Sequence, residues 1–218
     1  MSTLNRDIQL LNLSANQIGE LEAGVFYEKK KFKNLQKLYL SANQLRHVSA
    51  TAFFKLTGLV ELDLSENQLV ELGTAAPPSS RDGTSKSRTS KEQGHGDEDD
   101  HEDDHKKLPE VAVPQSFLHH LKQLRQLNLN ANQLTRIERF AFSPLTQLRQ
   151  LYLSRNKIHF IDKRAFDGLN VLNVLHLETQ KRWLADNRAQ LCQLASRTPE
   201  LLSQLEHGLK LCLGEEAD

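Results

Sequence analysis

The chain has 218 residues, and its 28 lysines and arginines balance its 28 aspartates and glutamates, so the formal net charge is zero. This length suits one substantial domain, and a neutral chain has no overall attraction to nucleic acid or anionic lipid. Two cysteines are too few for a disulfide framework, and no apolar run approaches the roughly 20 residues of a membrane span. The composition therefore favours a single domain with neither a nucleic-acid partner nor a membrane span in this chain.

An eleven-residue frame recurs along the chain. Each copy has an apolar residue, two variable residues, Leu, a variable residue, Leu, two variable residues, Asn, a variable residue, and Leu or Ile. A sixth, incomplete copy runs from Leu172 to Leu177 and has Gln180 where asparagine is expected. The asparagines of the complete copies are Asn16, Asn43, Asn67, Asn132 and Asn156. Their intervals predict a repeat of about 24 residues, with a short insertion in the first unit and a long one in the third.

An alanine–phenylalanine pair recurs in the second half of the unit. The phenylalanines are Phe53, Phe142 and Phe166, and a leucine follows each of them three residues later. In the unit after the long insertion, Leu118 takes the phenylalanine position. We expect these residues to form a second buried column that keeps the return segments in register.

The Leu-x-Leu part of the frame predicts a short strand, because alternate side chains of a strand point to the same side. One such strand cannot bury its apolar face alone, so successive units must stack and share a continuous core. Strands packed against a bulkier return segment make the stack curve, with a parallel sheet on the concave side. We expect the asparagines to form a structural ladder, turning inward to satisfy backbone groups of the neighbouring turn.

These motifs resemble the leucine-rich-repeat family, and the alanine–phenylalanine pair resembles its 24-residue subtype, over roughly residues 8–72 and 117–180. The resemblance implies an α/β fold in the form of a right-handed, curved solenoid. It also implies non-catalytic protein–protein recognition on the concave face. The subtype occurs mostly in secreted proteins and receptor ectodomains, including Toll-like receptors and insect leucine-rich immune proteins. The resemblance therefore implies a protein ligand, innate-immune recognition and an extracellular location.

Composition divides the chain into four segments. Residues 1–72 contain repeats 1–3, and residues 117–180 contain repeats 4–6. Residues 73–116 are first basic and rich in Ser and Thr, then acidic and rich in His and Asp, which predicts a disordered insertion. Residues 181–218 carry apolar side chains at helical spacings and predict a helical C-terminal cap, with a dimerisation segment as the alternative.

The variable residues of the frame that flank the strand leucines are predicted to face the concave side. Tyrosine provides a large contact area with a polar tip, which suits a protein interface. Tyr39 and Tyr152 are therefore the strongest individual candidates. The predicted ligand-binding residues are Lys37, Tyr39, Glu61, Asp63, Gln126, Asn128, Gln150, Tyr152, Arg155 and His176.

The acidic part of the insertion offers weak candidates for a metal site. His95, His101 and His105 lie among aspartates, and imidazole with carboxylate suits divalent ions. Their spacing matches no fixed template, and ordering a flexible segment costs entropy, so a solvated loop is the preferred interpretation. Outside this segment no acid, base and nucleophile cluster together. We therefore expect no catalysis, no bound metal and no cofactor.

The location of the protein is predicted less directly. Residues 1–7 lack the charged start and apolar stretch of a secretory signal, and no cysteine-bearing cap precedes the first repeat. A fragment of a longer secreted protein or receptor ectodomain is the preferred interpretation. The alternative is a cytoplasmic scaffold, adaptor or regulatory subunit with a minimal cap. The sequence leaves open whether Cys192 and Cys212 are free or disulfide-bonded.

Overall fold

The computed structural model describes residues 8–27, 32–73 and 116–177, together with Cys192. Six strands of three residues form one parallel sheet, and each strand belongs to one turn of the chain. The strands of turns one to six are β1 (Leu10–Asn12), β3 (Lys37–Tyr39), β5 (Glu61–Asp63), β6 (Gln126–Asn128), β8 (Gln150–Tyr152) and β10 (Val174–His176). Four strands of two residues are β2 (Glu20–Leu21), β4 (His47–Val48), β7 (Arg136–Ile137) and β9 (Phe160–Ile161).

The register of the main sheet keeps the repeat frame aligned from turn to turn. The order is β1-β3-β5-β6-β8-β10, and every neighbouring pair is parallel. The central leucine of each strand pairs with the central leucine of the next, as Leu38 does with Leu62 and Leu62 with Leu127. The last of these pairings joins residues on either side of the long insertion. The sheet therefore continues across the insertion without a break.

The core consists of the repeat leucines stacked in columns. Leu38, Leu62 and Leu127 are completely buried, whereas Leu11 of the first turn is only partly buried. The described part of the chain is thus a parallel solenoid in which each turn buries its apolar side chains against the neighbouring turns.

The phenylalanines of the return segments form ring contacts between turns. Phe26 stacks on Phe53 with ring centroids 5.9 Å apart, and Phe142 stacks on Phe166 at 5.8 Å. In turn four, Leu118 is fully buried at the expected position, but the ring that meets Phe53 belongs to Phe117, with centroids 5.9 Å apart. The aromatic column therefore reaches turn four through Phe117, which occupies the alanine position of the repeat. The motif alone does not show that this ring would contact Phe53.

The return segments are mostly turns. Across residues 8–27, 32–73 and 116–177 the one helix is a short 3-10 helix, Phe117–His120, whose first turn is capped by the Ser116 side chain. The predicted helical cap, residues 181–218, lies outside the described residues except for Cys192, which is helical. The predicted insertion, residues 73–116, lies outside the described residues except at its ends.

A second row of hydrogen bonds joins the turns beside the main sheet, but it is interrupted at turn three. Strand β2 pairs with β4, and β7 pairs with β9, each as a parallel pair. Turn three contributes no strand to either pair. Instead, the Ser116 hydroxyl donates to the Leu72 carbonyl at 2.9 Å. This bond closes the base of the insertion by joining its two described ends.

Backbone geometry before each ladder asparagine is unusual for non-glycine residues. The preceding residue has a positive φ in all five complete units, between 52° and 60°. The left-handed conformation costs most residues about 1 kcal/mol or more, so the fold imposes it at this point of every turn. The residues concerned are Ala15, Ala42, Glu66, Ala131 and Arg155.

Candidate functional site

The outward face of the six-stranded sheet collects the predicted binding residues. In each strand the central leucine faces the core, and the first and third residues are exposed or half-buried, as the alternation of a strand requires. We call this surface the sheet face. It is formed by Leu10, Asn12, Lys37, Tyr39, Glu61, Asp63, Gln126, Asn128, Gln150, Tyr152, Val174 and His176.

A charged network spans turns two and three of the sheet face. Lys37 Nζ lies 2.8 Å from Glu61 Oε2, and the Tyr39 hydroxyl donates to Glu61 Oε1 at 3.0 Å. The hydrogen bond and charge of Glu61 raise the pKa of Lys37. Burial, reinforced by the same carboxylate, raises the pKa of Tyr39. Lys37 therefore stays cationic and Tyr39 neutral at physiological pH, and the two hold the Glu61 carboxylate in place.

Asp63 is also engaged within its own turn. Its Oδ1 accepts from the backbone N–H of Ser65 at 2.9 Å and from the Ser65 hydroxyl at 2.7 Å. In the next turn, Asn128 Oδ1 accepts from the N–H of Asn130 at 3.1 Å. These short-range bonds fix the side chains at the ends of β5 and β6.

A second aromatic group lies on turns five and six. The Tyr152 hydroxyl donates to Gln150 Oε1 at 3.2 Å, and the Tyr152 ring meets the His176 ring edge-to-face with centroids 5.0 Å apart. Tyr39 and Tyr152 lie three turns apart and stand at the same strand position. Tyr39 pairs with Asp63, Asp63 pairs with Asn128, and Asn128 pairs with Tyr152. The structure thus places one tyrosine in each half of the sheet face. Arg155 is exposed three residues beyond Tyr152.

The asparagine ladder holds these turns together. The Asn67 Oδ1 accepts from the N–H of Leu45 at 3.0 Å, and its Nδ2 lies 2.9 Å from the Leu40 carbonyl and 3.1 Å from the Leu64 carbonyl. Asn43, Asn132 and Asn156 make the same set of bonds in their turns. Each amide therefore serves backbone groups of two turns.

The repeat geometry is matched by a known family of sequences. The leucine rich repeat family matches residues 6–69, 111–158 and 122–179, which together are more than half of the chain. The chain belongs to the leucine-rich-repeat family. The matched ranges include the five ladder asparagines and the alternating strand leucines described above.

Among the solved structures with a similar fold is a chain of an octameric complex of Latrophilin 3 (Lec, Olf), Unc5D (Ig, Ig2, TSP1) and FLRT2 (LRR). The TM-score is 0.50 at 20% identity, and the match covers 78% of this chain but 37% of that one. The chain therefore spans little more than a third of the length of that neighbour. No curated protein sequence matches the chain.

Several expectations concern parts of the leucine-rich-repeat chain that the structure does not describe. The metal candidates His95, His101 and His105 lie outside the described residues, as does Cys212. Cys192 is disulfide-bonded. Among the described residues, no three His, Cys, Asp or Glu side chains are grouped so that they could hold a metal ion. In the same part of the chain, no helix has the length and apolar character needed to cross a membrane.

Sequence reasoning missed two arginines beside the sheet face. Arg125 and Arg149 directly precede β6 and β8, and both are exposed. They stand one repeat length apart in the sequence, which was a usable signal that they occupy one position in adjacent turns. Their position lies just before the strand, outside the strand positions and the positions after it from which the binding residues are predicted.

Proposed function

We propose that this chain is a non-catalytic recognition module that binds a protein ligand through the sheet face. One observation carries the proposal. Turns two to five present a continuous row of tyrosines, amides and charged groups, many of whose side chains are fixed by hydrogen bonds to their neighbours. Preorganised side chains lose less entropy on binding, and tyrosine is enriched among the residues that dominate binding energy.

The two tyrosines provide the test. A Tyr39→Ala/Tyr152→Ala double variant removes the aromatic contact in both halves of the face, and a hot-spot residue contributes about 2 kcal/mol or more, or roughly thirtyfold in affinity. Proteins captured by the immobilised full chain are quantified by mass spectrometry for the wild type and the variant. We expect the specific ligand to be retained by the wild type and lost by the double variant.

Tyr27→Ala is the matched control for this experiment. Tyr27 is the third tyrosine of the chain, is 61% exposed and lies in a return segment, away from the sheet face. Its removal is expected to leave capture unchanged. Equal retention of every captured protein by the wild type and by the double variant would count against the sheet face as the recognition surface.

We further propose that the protein works outside the cell, in ligand or innate-immune recognition. The 24-residue unit with its alanine–phenylalanine pair supports this, and so does the disulfide at Cys192, because disulfides persist in oxidising compartments. Fractionation of the native protein with a thiol-specific label tests the location. A labelled, reduced Cys192 in a cytosolic fraction would favour the alternative of an intracellular scaffold, adaptor or regulatory subunit.

A further inference from the structure

Charge is distributed unevenly between the two halves of the solenoid. The described residues of turns one to three, 8–27 and 32–73, contain four lysines and arginines against six aspartates and glutamates. Residues 116–177, which form turns four to six, contain nine lysines and arginines against three acidic residues. A neutral chain therefore carries a strongly basic second half, which the overall composition conceals.

Two of the basic residues are neighbours across adjacent turns. The N–H of Arg149 donates to the Arg125 carbonyl at 2.8 Å, and the N–H of Gln150 donates to the same carbonyl at 3.0 Å. The two arginines thus share one register position on strands that are about 4.8 Å apart. Both side chains are exposed. Because the two cationic side chains extend from neighbouring strands, an anion shared by both would offset the repulsion between them.

Arg155 adds a third cation at the other end of the same strand. It is exposed and follows β8, whereas Arg149 precedes it. Tyr152 lies between the two arginines with its ring against His176. Arginine and tyrosine are both enriched at the centres of protein interfaces. Turn five therefore has an exposed cation before its strand, an aromatic ring on the strand and a second exposed cation after it.

The acidic residues of this half are engaged elsewhere. Glu138 pairs with Arg136 at 2.8 Å, and Asp167 pairs with Arg164 at 2.7 Å. Asp162 Oδ1 accepts from the backbone N–H of Arg164 at 2.8 Å. All three belong to the segments that return from the strands. Among the described residues of turns four to six, the sheet face and its edges therefore contain no carboxylate.

Turns two and three differ in this respect. Their carboxylates Glu61 and Asp63 lie on the sheet face, and each is compensated locally, by Lys37 and Tyr39 or by Ser65. A ligand gains little charge attraction from groups that are already satisfied. The three arginines have no ion-pair partner among the described residues. In turn three the exposed Glu66 occupies the repeat position that Arg155 occupies in turn five, so uncompensated positive charge beside the sheet face is concentrated on turns four to six.

We propose that turns four to six bind a carboxylate-rich segment of the protein ligand, with Arg125, Arg149 and Arg155 as its anchors and Tyr152 as the contact between them. This inference rests on the proposed function and adds the chemistry of the partner. Guanidinium groups form paired hydrogen bonds with carboxylates. The side-by-side arginines at the start of the strands and the third at its end suit an extended segment with several acidic side chains.

The test uses a fluorescein-labelled peptide of ten glutamates, with a decaglutamine peptide as its neutral counterpart. Binding to the full chain is followed by fluorescence anisotropy at about 50 and 200 mM salt. We expect binding of the acidic peptide alone, weakened at the higher salt because exposed charges are screened. An Arg125→Gln/Arg149→Gln/Arg155→Gln variant is expected to weaken it about tenfold or more.

A second triple variant, Lys33→Gln/Lys55→Gln/Lys163→Gln, removes the same charge from exposed positions in the return segments. We expect it to change binding less than twofold. Equal loss in both variants would overturn the proposal, because it would show attraction to net charge rather than to this surface. Tighter binding of a heparin oligosaccharide, lost in the arginine variant, would overturn it in favour of a sulfated glycan.

Failure of the inference can be told apart from failure of the proposed function. Suppose that the arginine variant keeps its peptide affinity while Tyr39→Ala/Tyr152→Ala loses the captured ligand. Recognition through the sheet face then stands, and the acidic character of the partner is refuted. Suppose instead that the arginine variant loses the peptide but the tyrosine variant keeps every captured protein. The three arginines then bind acidic peptides, and recognition through the sheet face is refuted.

Discussion

The ladder asparagines illustrate how a single residue supports a repeat. Asn67 is 6% exposed, and its amide accepts one backbone N–H and lies within hydrogen-bond distance of three carbonyls. Asn16 bonds two carbonyls of its own turn and is exposed. The same residue type in the same frame therefore has different energetic weight, depending on whether its amide joins two turns or serves one.

Replacing these asparagines tests that difference. Asn67→Ala leaves the Leu45 N–H and the Leu40 and Leu64 carbonyls without this partner, and each buried orphan costs about 1–3 kcal/mol. We expect a loss of about 3 kcal/mol in the free energy of unfolding, measured by urea denaturation. Asn16→Ala, the matched change at the exposed position, is expected to cost less than about 1 kcal/mol. Similar losses in the two variants would contradict the inter-turn role of Asn67.

At the scale of elements, the strands are too short to be stable alone, and their side-chain columns provide the cohesion. Strands of three residues bury one leucine each, so each turn depends on the neighbours above and below it. The phenylalanine rings connect the return segments in the same way on the other side of the core. Sheet and return segments are thus coupled within every turn.

Two adjacent phenylalanines, one buried and one exposed, distinguish the effect of buried packing on stability from the effect of an aromatic side chain alone. Phe53 is fully buried between the rings of Phe26 and Phe117, whereas Phe54 is 41% exposed. We expect Phe53→Ala to lower the free energy of unfolding by about 3–5 kcal/mol, as buried phenylalanines do. Phe54→Ala serves as the control, with an expected loss of about 1 kcal/mol. Thermal unfolding followed by circular dichroism measures both, and a larger loss at Phe54 would disprove the aromatic column as an inter-turn contact.

At the scale of the whole molecule, the solenoid continues across the insertion. Strand β5 pairs with β6 although the entire insertion separates them in sequence, and the Ser116 hydroxyl bonds the Leu72 carbonyl at 2.9 Å. The ends of the insertion are therefore held together by the solenoid itself. We therefore expect that folding of the repeats does not depend on contacts within the insertion.

Shortening the insertion tests this view. Replacing residues 74–115 by a short linker of glycines and serines should leave the circular dichroism spectrum of the repeats unchanged. Closing a loop costs about 0.6 kcal/mol for each doubling of its length, so removing about three doublings is expected to stabilise the chain by roughly 2 kcal/mol. Urea denaturation measures the change. Loss of cooperative unfolding would show that the insertion takes part in the fold.

The sequence by itself determined the repeat length, the core leucines and the positions of the ladder asparagines. It could do so because a side chain that recurs once in every repeat must occupy the same place in every turn of a stack. The same rule identified most of the sheet face in advance, including Tyr39 and Tyr152. The 24-residue interval between Arg125 and Arg149 indicates their adjacency in the same way.

Only the tertiary structure decided which of these groups are already satisfied. Glu61 bonds both Lys37 and Tyr39, and the Phe117 ring contacts Phe53. Both sets of contacts depend on side-chain conformations between turns. The left-handed backbone at Ala42 arises because the chain must reverse so that Asn43 can turn inward. The repeat pattern fixes the position of each side chain in the solenoid. Which side chain it bonds to depends on contacts between residues distant in sequence, and the repeat pattern does not encode these contacts.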